Sequence, residues 1–134
     1  AILRHKFKSY DRVIDRRRNV AQIYQDRLGY LNELQLPPAP AVNSKNFDVY
    51  QNYELQADKR DLLKAHLYEN GVGTLIQWGG SAIHQFKNLG FTQECPNTDK
   101  FFERCIMLPM NIFISDDDVL YVCDKIIDFY RRSS

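Results

Sequence analysis

The sequence has no apolar run approaching the roughly 18 residues that a membrane-spanning helix needs, which excludes an integral helical membrane protein. It is short of cysteine. Cys95, Cys105 and Cys123 are odd in number and form no C-x-x-C pair. That excludes a disulfide scaffold or a cysteine zinc site and fits free thiols in a reducing cytosol. No charged and apolar leader with a small-residue cleavage site opens the chain, so nothing marks it for secretion. Net charge is only +1, which argues against a strongly basic nucleic-acid binder and against an acidic tail protein. Internal repeats and low-complexity segments are absent. What remains is 134 residues, 44% of them hydrophobic and 26% charged. This is an ordinary globular composition, too apolar for intrinsic disorder and of a length that suits one domain. The expectation is a soluble cytoplasmic domain.

The charge that exists is unevenly placed. Residues 1–18 hold seven basic and two acidic side chains, a net of +5 against +1 for the whole chain. Leu3, Phe7, Tyr10, Ile14, Ala21, Tyr24, Leu28 and Leu31 recur at helical spacing and predict one helix over residues 2–31, about 45 Å long at 1.5 Å per residue. A helix of that length exceeds one small core. It also begins abruptly at Ala1 without an initiating Met, as a fragment of a longer protein would. Pro37, Pro38 and Pro40 then predict a stiff extended linker.

Alternation of Phe47, Val49, Tyr53, Leu55 and Ala57 with Asp48, Asn52, Glu54 and Gln56 predicts a half-buried strand over 47–57. Asp58 is the expected N-cap of a helix over 59–70 with Leu62, Leu63 and Leu67 inward and Gly71 as its stop. A second strand is expected over 72–78, a Gly79-Gly80 turn, a short helix from Ser81 to Leu89, and another from Thr98 through Phe102. Ile106 to Leu108 reads as a short strand ended by Pro109. Ser115 with Asp118 reads as a capping box. Val119, Val122, Cys123, Ile126, Ile127 and Tyr130 form the inner face of the helix that follows. The fold class is α+β: a small, mainly antiparallel sheet with helices packed on one face, preceded by a long helix.

Several residues invite a chemical reading. Arg4, Lys8, Arg12 and Arg16 share a helical face, but Asp11 and Asp15 dilute the stripe, which reads as solvated or as covered by another domain rather than as a phosphate track. Asp116, Asp117 and Asp118 lack the spaced ligands of a calcium loop and fit a helix N-terminus. Gly71-Val72-Gly73-Thr74 follows a helix and opens a strand, the reverse of a phosphate cradle. Ser81 and His84 lack a nearby acidic residue that would orient a nucleophile–base pair. His66, between Leu62, Leu63 and Leu67, reads as a half-buried structural histidine. The segment from Gln77 to His84 is different. The chain's single Trp stands beside two glycines with a His shortly after. Such a segment builds either a ligand wall, with Trp stacking on a sugar or base and Gln and His bonding hydroxyls, or a core plug with a surface cap. Both remain open on spacing alone.

The order and spacing of several short stretches carry more than any one of them. Arg16-Arg17-Arg18 precede Ala21, Tyr24 and Leu28. A Leu36-Pro37 step, the helix start Arg60-Asp61-Leu62-Leu63 and Asn70-Gly71-Val72-Gly73-Thr74 follow, then His84, Leu108-Pro109 and Ile127-Asp128-Phe129-Tyr130. Together they resemble the C-terminal part of the nucleotide-sugar aminotransferases of the DegT/DnrJ/StrS type, pyridoxal-phosphate enzymes of the fold-type-I, aspartate-aminotransferase class. The resemblance implies that residues 1–32 join a large domain to a small C-terminal domain over 33–134. It implies that the Schiff-base lysine and the rest of the pyridoxal 5'-phosphate site lie in the large domain, since no lysine here has a matching context. No catalytic, cofactor-binding or metal-binding residue is therefore assigned to this chain, which alone would be inactive.

The resemblance places Thr74, Gln77, Trp78 and His84 on the substrate wall, with His84 bonding a hexose hydroxyl and Trp78 giving an apolar face. Many relatives carry an aromatic–Pro step where this chain has Trp78-Gly79-Gly80. That departure is similar to the subset acting on carbon 3 of deoxythymidine-diphosphate keto-sugars. The implied activity is transfer of an amino group from glutamate to a nucleotide-linked keto-6-deoxyhexose, for a surface polysaccharide or glycosylated product, by a cytoplasmic homodimer without nucleic-acid or membrane partners. Two alternatives stand beside it: a non-enzymatic regulator or sensor of the same fold, and a free-standing nucleic-acid or protein interaction module using the basic helix.

Overall fold

The computed structural model describes residues 2–41 and 47–133. Expectations that touch Ala1, residues 42–46 or Ser134 lie outside the described residues. Helix α1 (Ile2–Phe7) and helix α2 (Tyr10–Leu28) replace the single helix expected over 2–31. The break has a local cause. Lys8 N and Ser9 N donate to the carbonyls three residues back, His5 O and Lys6 O, and the Ser9 hydroxyl donates to Lys6 O as well. A serine that bonds its own preceding turn competes with the helical ladder. The apolar stripe divides at the same point. Ile2, Leu3 and Phe7 are exposed, whereas Val20, Ala21, Tyr24 and Leu28 are fully buried. The second half of α2 thus shares its core with the residues beyond 32.

Strand β1 (Leu34–Gln35) was not legible as a strand. It pairs antiparallel with β2 (Tyr53–Ala57), which pairs antiparallel with β3 (Cys105–Leu108) in the order β1-β2-β3. The strand expected over 47–57 is shortened to its last five residues. Asp48 Oδ1 accepts a bond from Tyr50 N at 2.7 Å, and Tyr50 sits at φ 49°, so the chain turns there instead of extending. Phe47 is consequently exposed, with the Arg18 guanidinium 4.3 Å from its ring centre. Within β2 the alternation is as expected: Tyr53, Leu55 and Ala57 are buried and Glu54 and Gln56 half-buried.

Helix α3 (Arg60–Glu69) is not capped by Asp58. Lys59 takes a left-handed conformation at the N-cap, and Asp58 instead pairs with Arg104 at 2.8 Å. The same turn swings Leu62 outward, where it is 63% exposed, while Leu63 and Leu67 are buried. His66 is half-buried against the Phe129 ring, in line with a structural role. Gly71, at φ 76°, ends α3 as expected, with Gly71 N bonding Tyr68 O and Val72 N bonding Leu67 O.

The strand expected over 72–78 is reduced to a single antiparallel bridge, Leu75 with Met107. The helix expected from Ser81 to Leu89 is two 3-10 turns, Ile83–Gln85 and Lys87–Leu89. Helix α4 (Pro96–Arg104) is longer than the 98–102 segment expected, because Pro96 has the backbone angle a first helical residue needs. Helix α5 (Asp116–Ser133) starts as its capping box predicts: Asp118 N bonds Ser115 Oγ at 3.1 Å and Ser115 N bonds Asp118 Oδ2 at 3.2 Å. Its whole expected inner face is buried.

The architecture is the expected α+β arrangement. Tyr53, Leu55, Ile106 and Leu108 share one face of the sheet by register, and Tyr24 of α2, Leu63 and Leu67 of α3 and Cys123 and Ile126 of α5 join them in one apolar core. The two leucines of α3 separate this packing from the sequence pattern. Leu67→Ala is expected to lower unfolding stability by about 2–5 kcal/mol through the lost contacts and residual cavity. Leu62→Ala should stay within about 0.5 kcal/mol, as exposed substitutions do. Urea unfolding of both variants checks the difference; equal losses would place Leu62 in the core.

Candidate functional site

Residues 72–90 connect α3 to the segment before α4 with little regular structure, and all four residues expected on the substrate wall lie in this connection. Ile76 is extended, Gln77 begins a tight turn, and then Trp78 (φ 55°, ψ 27°) and Gly79 (φ 67°, ψ 17°) are both left-handed, followed by Gly80 at φ 79°. Glycine takes this region freely. A residue with a Cβ pays about 1–2 kcal/mol for it. The left-handed turn throws the indole outward, and Trp78 is 77% exposed. Of the two readings left open by the sequence, the core plug is therefore the one the packing does not support.

Trp78 lines an open apolar hollow of about 530 Å³ together with Ser81, Ile83, Phe86 and Leu89. Thr74 is half-buried and lines a different hollow, of about 660 Å³, between the outer face of α3 (Asp61, Lys64, Ala65, Tyr68) and Gly73. Gln77 is half-buried and lines neither hollow. The structure does not gather the four residues into one cavity.

His84 is the buried member, only 7% exposed. Its Nε2 lies 2.9 Å from Asp99 Oδ1. The same carboxylate oxygen accepts a bond from Gln85 Nε2 at 2.6 Å, and Gln85 Oε1 accepts one from Ala82 N at 3.0 Å. The hydrogen bond from Gln85 first, and that from His84 second, hold the Asp99 carboxyl below the usual carboxylate range. Sequence reading found no acidic partner for His84 because it looked nearby; the partner stands 15 residues on, in the first turn of α4. Only the tertiary fold brings Asp99 of α4 against His84 and Gln85 of this segment.

The other candidates are accounted for elsewhere. Arg16 bonds Asp116 Oδ1 at 2.5 Å and also Ile114 O, and Arg17 and Arg18 bond the backbone carbonyls of Tyr50, Gln51, Asp48 and Ala41. Asp118 is held below the usual carboxylate range by its bonds with Ser115, as a helix-capping residue is. Burial pushes the Cys123 thiol up to about 12, which makes it an inert core residue. Among the described residues no group of three His, Cys, Asp or Glu side chains is placed to hold a metal. The described lysines are exposed except Lys125, which is half-buried with its ammonium over the Tyr121 ring.

Residues 1–127 match the DegT/DnrJ/EryC1/StrS aminotransferase family. A "pleiotropic regulatory protein" of Geobacillus stearothermophilus is 31% identical over 98% of this chain and 36% of its own length. A UDP-N-acetyl-3-dehydro-alpha-D-glucosamine 3-aminotransferase of Acidithiobacillus ferrooxidans is 32% identical over 81% of this chain and 29% of its own length. Among solved structures, the aminotransferase TlmJ of Streptoalloteichus hindustanus superposes with a TM-score of 0.85 at 23% identity, over 96% of this chain and 34% of that one. The chain thus spans about a third of the length of the relatives it matches.

The lowered Asp99 pKa has a signed consequence. A carboxylate whose folded-state pKa lies below its unfolded value of about 3.9 stabilises the fold above that value and loses this contribution as pH falls through the folded one. Asp99→Asn is expected to be less stable than the parent at neutral pH and to converge with it as the solution is acidified. Urea midpoints between about pH 6 and pH 2 check this; parallel curves would show that Asp99 carries no such linkage.

Proposed function

The chain belongs to the DegT/DnrJ/EryC1/StrS aminotransferase family, and from that premise we propose that it is the small C-terminal domain of a pyridoxal-phosphate-dependent sugar aminotransferase. The reaction proposed for the whole protein moves an amino group from glutamate to carbon 3 of a nucleotide-linked keto-6-deoxyhexose. The carbon-3 assignment is supported by the Trp78-Gly79-Gly80 step and by the activity named for the Acidithiobacillus relative. The cofactor, which supplies the electron sink for amino-group transfer, is assigned to residues outside this chain. α1, whose apolar side chains Ile2, Leu3 and Phe7 are exposed, and the start of α2, where Tyr10 is exposed, are assigned to contact with that larger part, in a cytoplasmic homodimer.

The single observation that carries the proposal is the exposed, left-handed Trp78. A family member that holds its one tryptophan in a strained conformation, out of its core, has a use for the indole at the surface. Trp78 gives the sugar ring an apolar face, and Thr74 and Gln77, which do not line the hollow beside Trp78, offer a hydroxyl and an amide to groups of the nucleotide sugar beyond that hollow. His84, expected to bond a hexose hydroxyl, is buried with its Nε2 on Asp99. No other residue of this chain is given a chemical task; its part is to shape and close the substrate side of the cleft and to exclude water there.

A second reading is favoured by the name of the Geobacillus relative: a regulator built on the same fold. The two part on one measurement. The protein carried by the whole gene, purified with pyridoxal phosphate and glutamate, is expected to aminate a 3-keto sugar nucleotide, and Trp78→Ala is expected to raise KM for that substrate several-fold with little change in kcat. Absence of both cofactor absorbance and transfer to any keto-sugar nucleotide would remove the enzymatic reading and leave the regulatory one.

A further inference from the structure

The indole of Trp78 is held out in solvent by a segment that has almost no ladder bonding of its own, so something else must fix its direction. One backbone bridge, Leu75 with Met107, anchors the segment before the tryptophan. After it, the fixed points form a short chain of hydrogen bonds. Ser81 N reaches Trp78 O at 3.5 Å, Ala82 N bonds Gln85 Oε1, Gln85 Nε2 bonds Asp99 Oδ1, and His84 Nε2 meets the same oxygen. Both side chains of the 3-10 turn that face α4 end on one atom. Ala82 and His84 are buried there, while Ile83 and Phe86, from the same two turns, point out and line the hollow beside Trp78.

We propose that Asp99 is a positioning residue for Trp78: by accepting from Gln85 and His84 together it clamps residues 81–86 onto α4 and so sets the direction of the indole and the shape of the hollow beside it. The consequence for sugar recognition rests on the reading of Trp78 as a substrate wall given above; the clamp itself does not. The physical reason is economy of constraint. A segment with left-handed residues at 78, 79 and 80 has no regular hydrogen bonding to resist rotation, and a carboxylate accepting two bonds at once replaces what a strand ladder would supply. Asp99 does not line the hollow beside Trp78, so its effect on a ligand there passes through the loop.

Because Trp78 is the chain's only tryptophan, its fluorescence reports on this segment alone. Asp99→Ala in the 134-residue protein is expected to lower the steady-state anisotropy of Trp78 and raise its quenching by acrylamide, with far-UV dichroism unchanged. Asp99→Asn, which keeps one acceptor, should fall between Ala and the parent. Gln85→Ala serves the same purpose should Asp99→Ala fail to fold. In the protein carried by the whole gene, Asp99→Ala should raise the sugar-nucleotide KM several-fold while leaving kcat nearly unchanged, and should add nothing once Trp78 is already Ala. Unchanged Trp78 anisotropy and quenching in both Asp99→Ala and Gln85→Ala would overturn the clamp. A Trp78 that responds to Asp99→Ala, in a protein whose KM ignores both Asp99→Ala and Trp78→Ala, would leave the clamp standing and overturn the substrate-wall reading.

Discussion

The fold depends on the burial of large tyrosines, three of which send their hydroxyls to backbone carbonyls. Tyr24 of α2 lies against Tyr53 of β2 with ring centres 4.7 Å apart, and Tyr50 stacks on the other side of Tyr53 at 6.3 Å. A buried hydroxyl without a partner is costly. Tyr24 donates to Pro109 O, Tyr50 to Pro38 O and Tyr130 to Asp58 O, all at or below 2.8 Å. Each acceptor is a backbone carbonyl in a connection between elements. The rings fill a core that a three-stranded sheet is too small to build alone, and the hydroxyls of Tyr24, Tyr50 and Tyr130 pin the loops that leave the sheet, whereas the buried Tyr53 hydroxyl has no hydrogen-bond partner among the described residues. Burial raises the phenol pKa of Tyr24 and Tyr130 well above the ordinary value, so these donors keep their protons.

The arginines of α2 extend the same logic to the surface. Arg17 donates to the carbonyls of Tyr50 and Gln51, and Arg18 to those of Ala41 and Asp48 while its guanidinium covers Phe47. Arg16 joins the start of α5 through Asp116 and Ile114. A guanidinium presents five donors in a rigid fork, which suits it to gathering carbonyls from irregular chain. The basic run from Arg16 to Arg18 is a set of ties holding Ala41, Asp48, Tyr50, Gln51 and the start of α5 against α2. A core tied down in this way leaves one long connection, 72–90, at liberty to hold its residues in strained and exposed conformations, where binding residues commonly sit.

The elements legible in the sequence were those whose signal is local and strong. Ser115 with Asp118 marked the start of α5, its apolar spacing marked six of its buried residues but not Phe129, and Gly71 marked the end of α3. The elements misjudged were those where side chains compete with the backbone. Ser9 split the first helix, Asp48 cut short β2, and the left-handed Lys59 displaced Asp58 from its cap and sent Leu62 to the surface. Strand β1, two residues long, has no periodicity to detect; it exists because β2 offers it an edge.

The candidate site divides in the same way. The type and order of its residues, Thr74, Gln77, Trp78 and His84 after a helix-ending glycine, were open to sequence reading, because composition and spacing are properties of the chain itself. Which of them faces outward, and that His84 turns inward to Asp99, was decided only by the tertiary structure. Periodicity fixes a side chain's direction only inside a regular helix or strand. Across an irregular connection, direction is set by whichever distant groups the chain meets, and here those lie on α4.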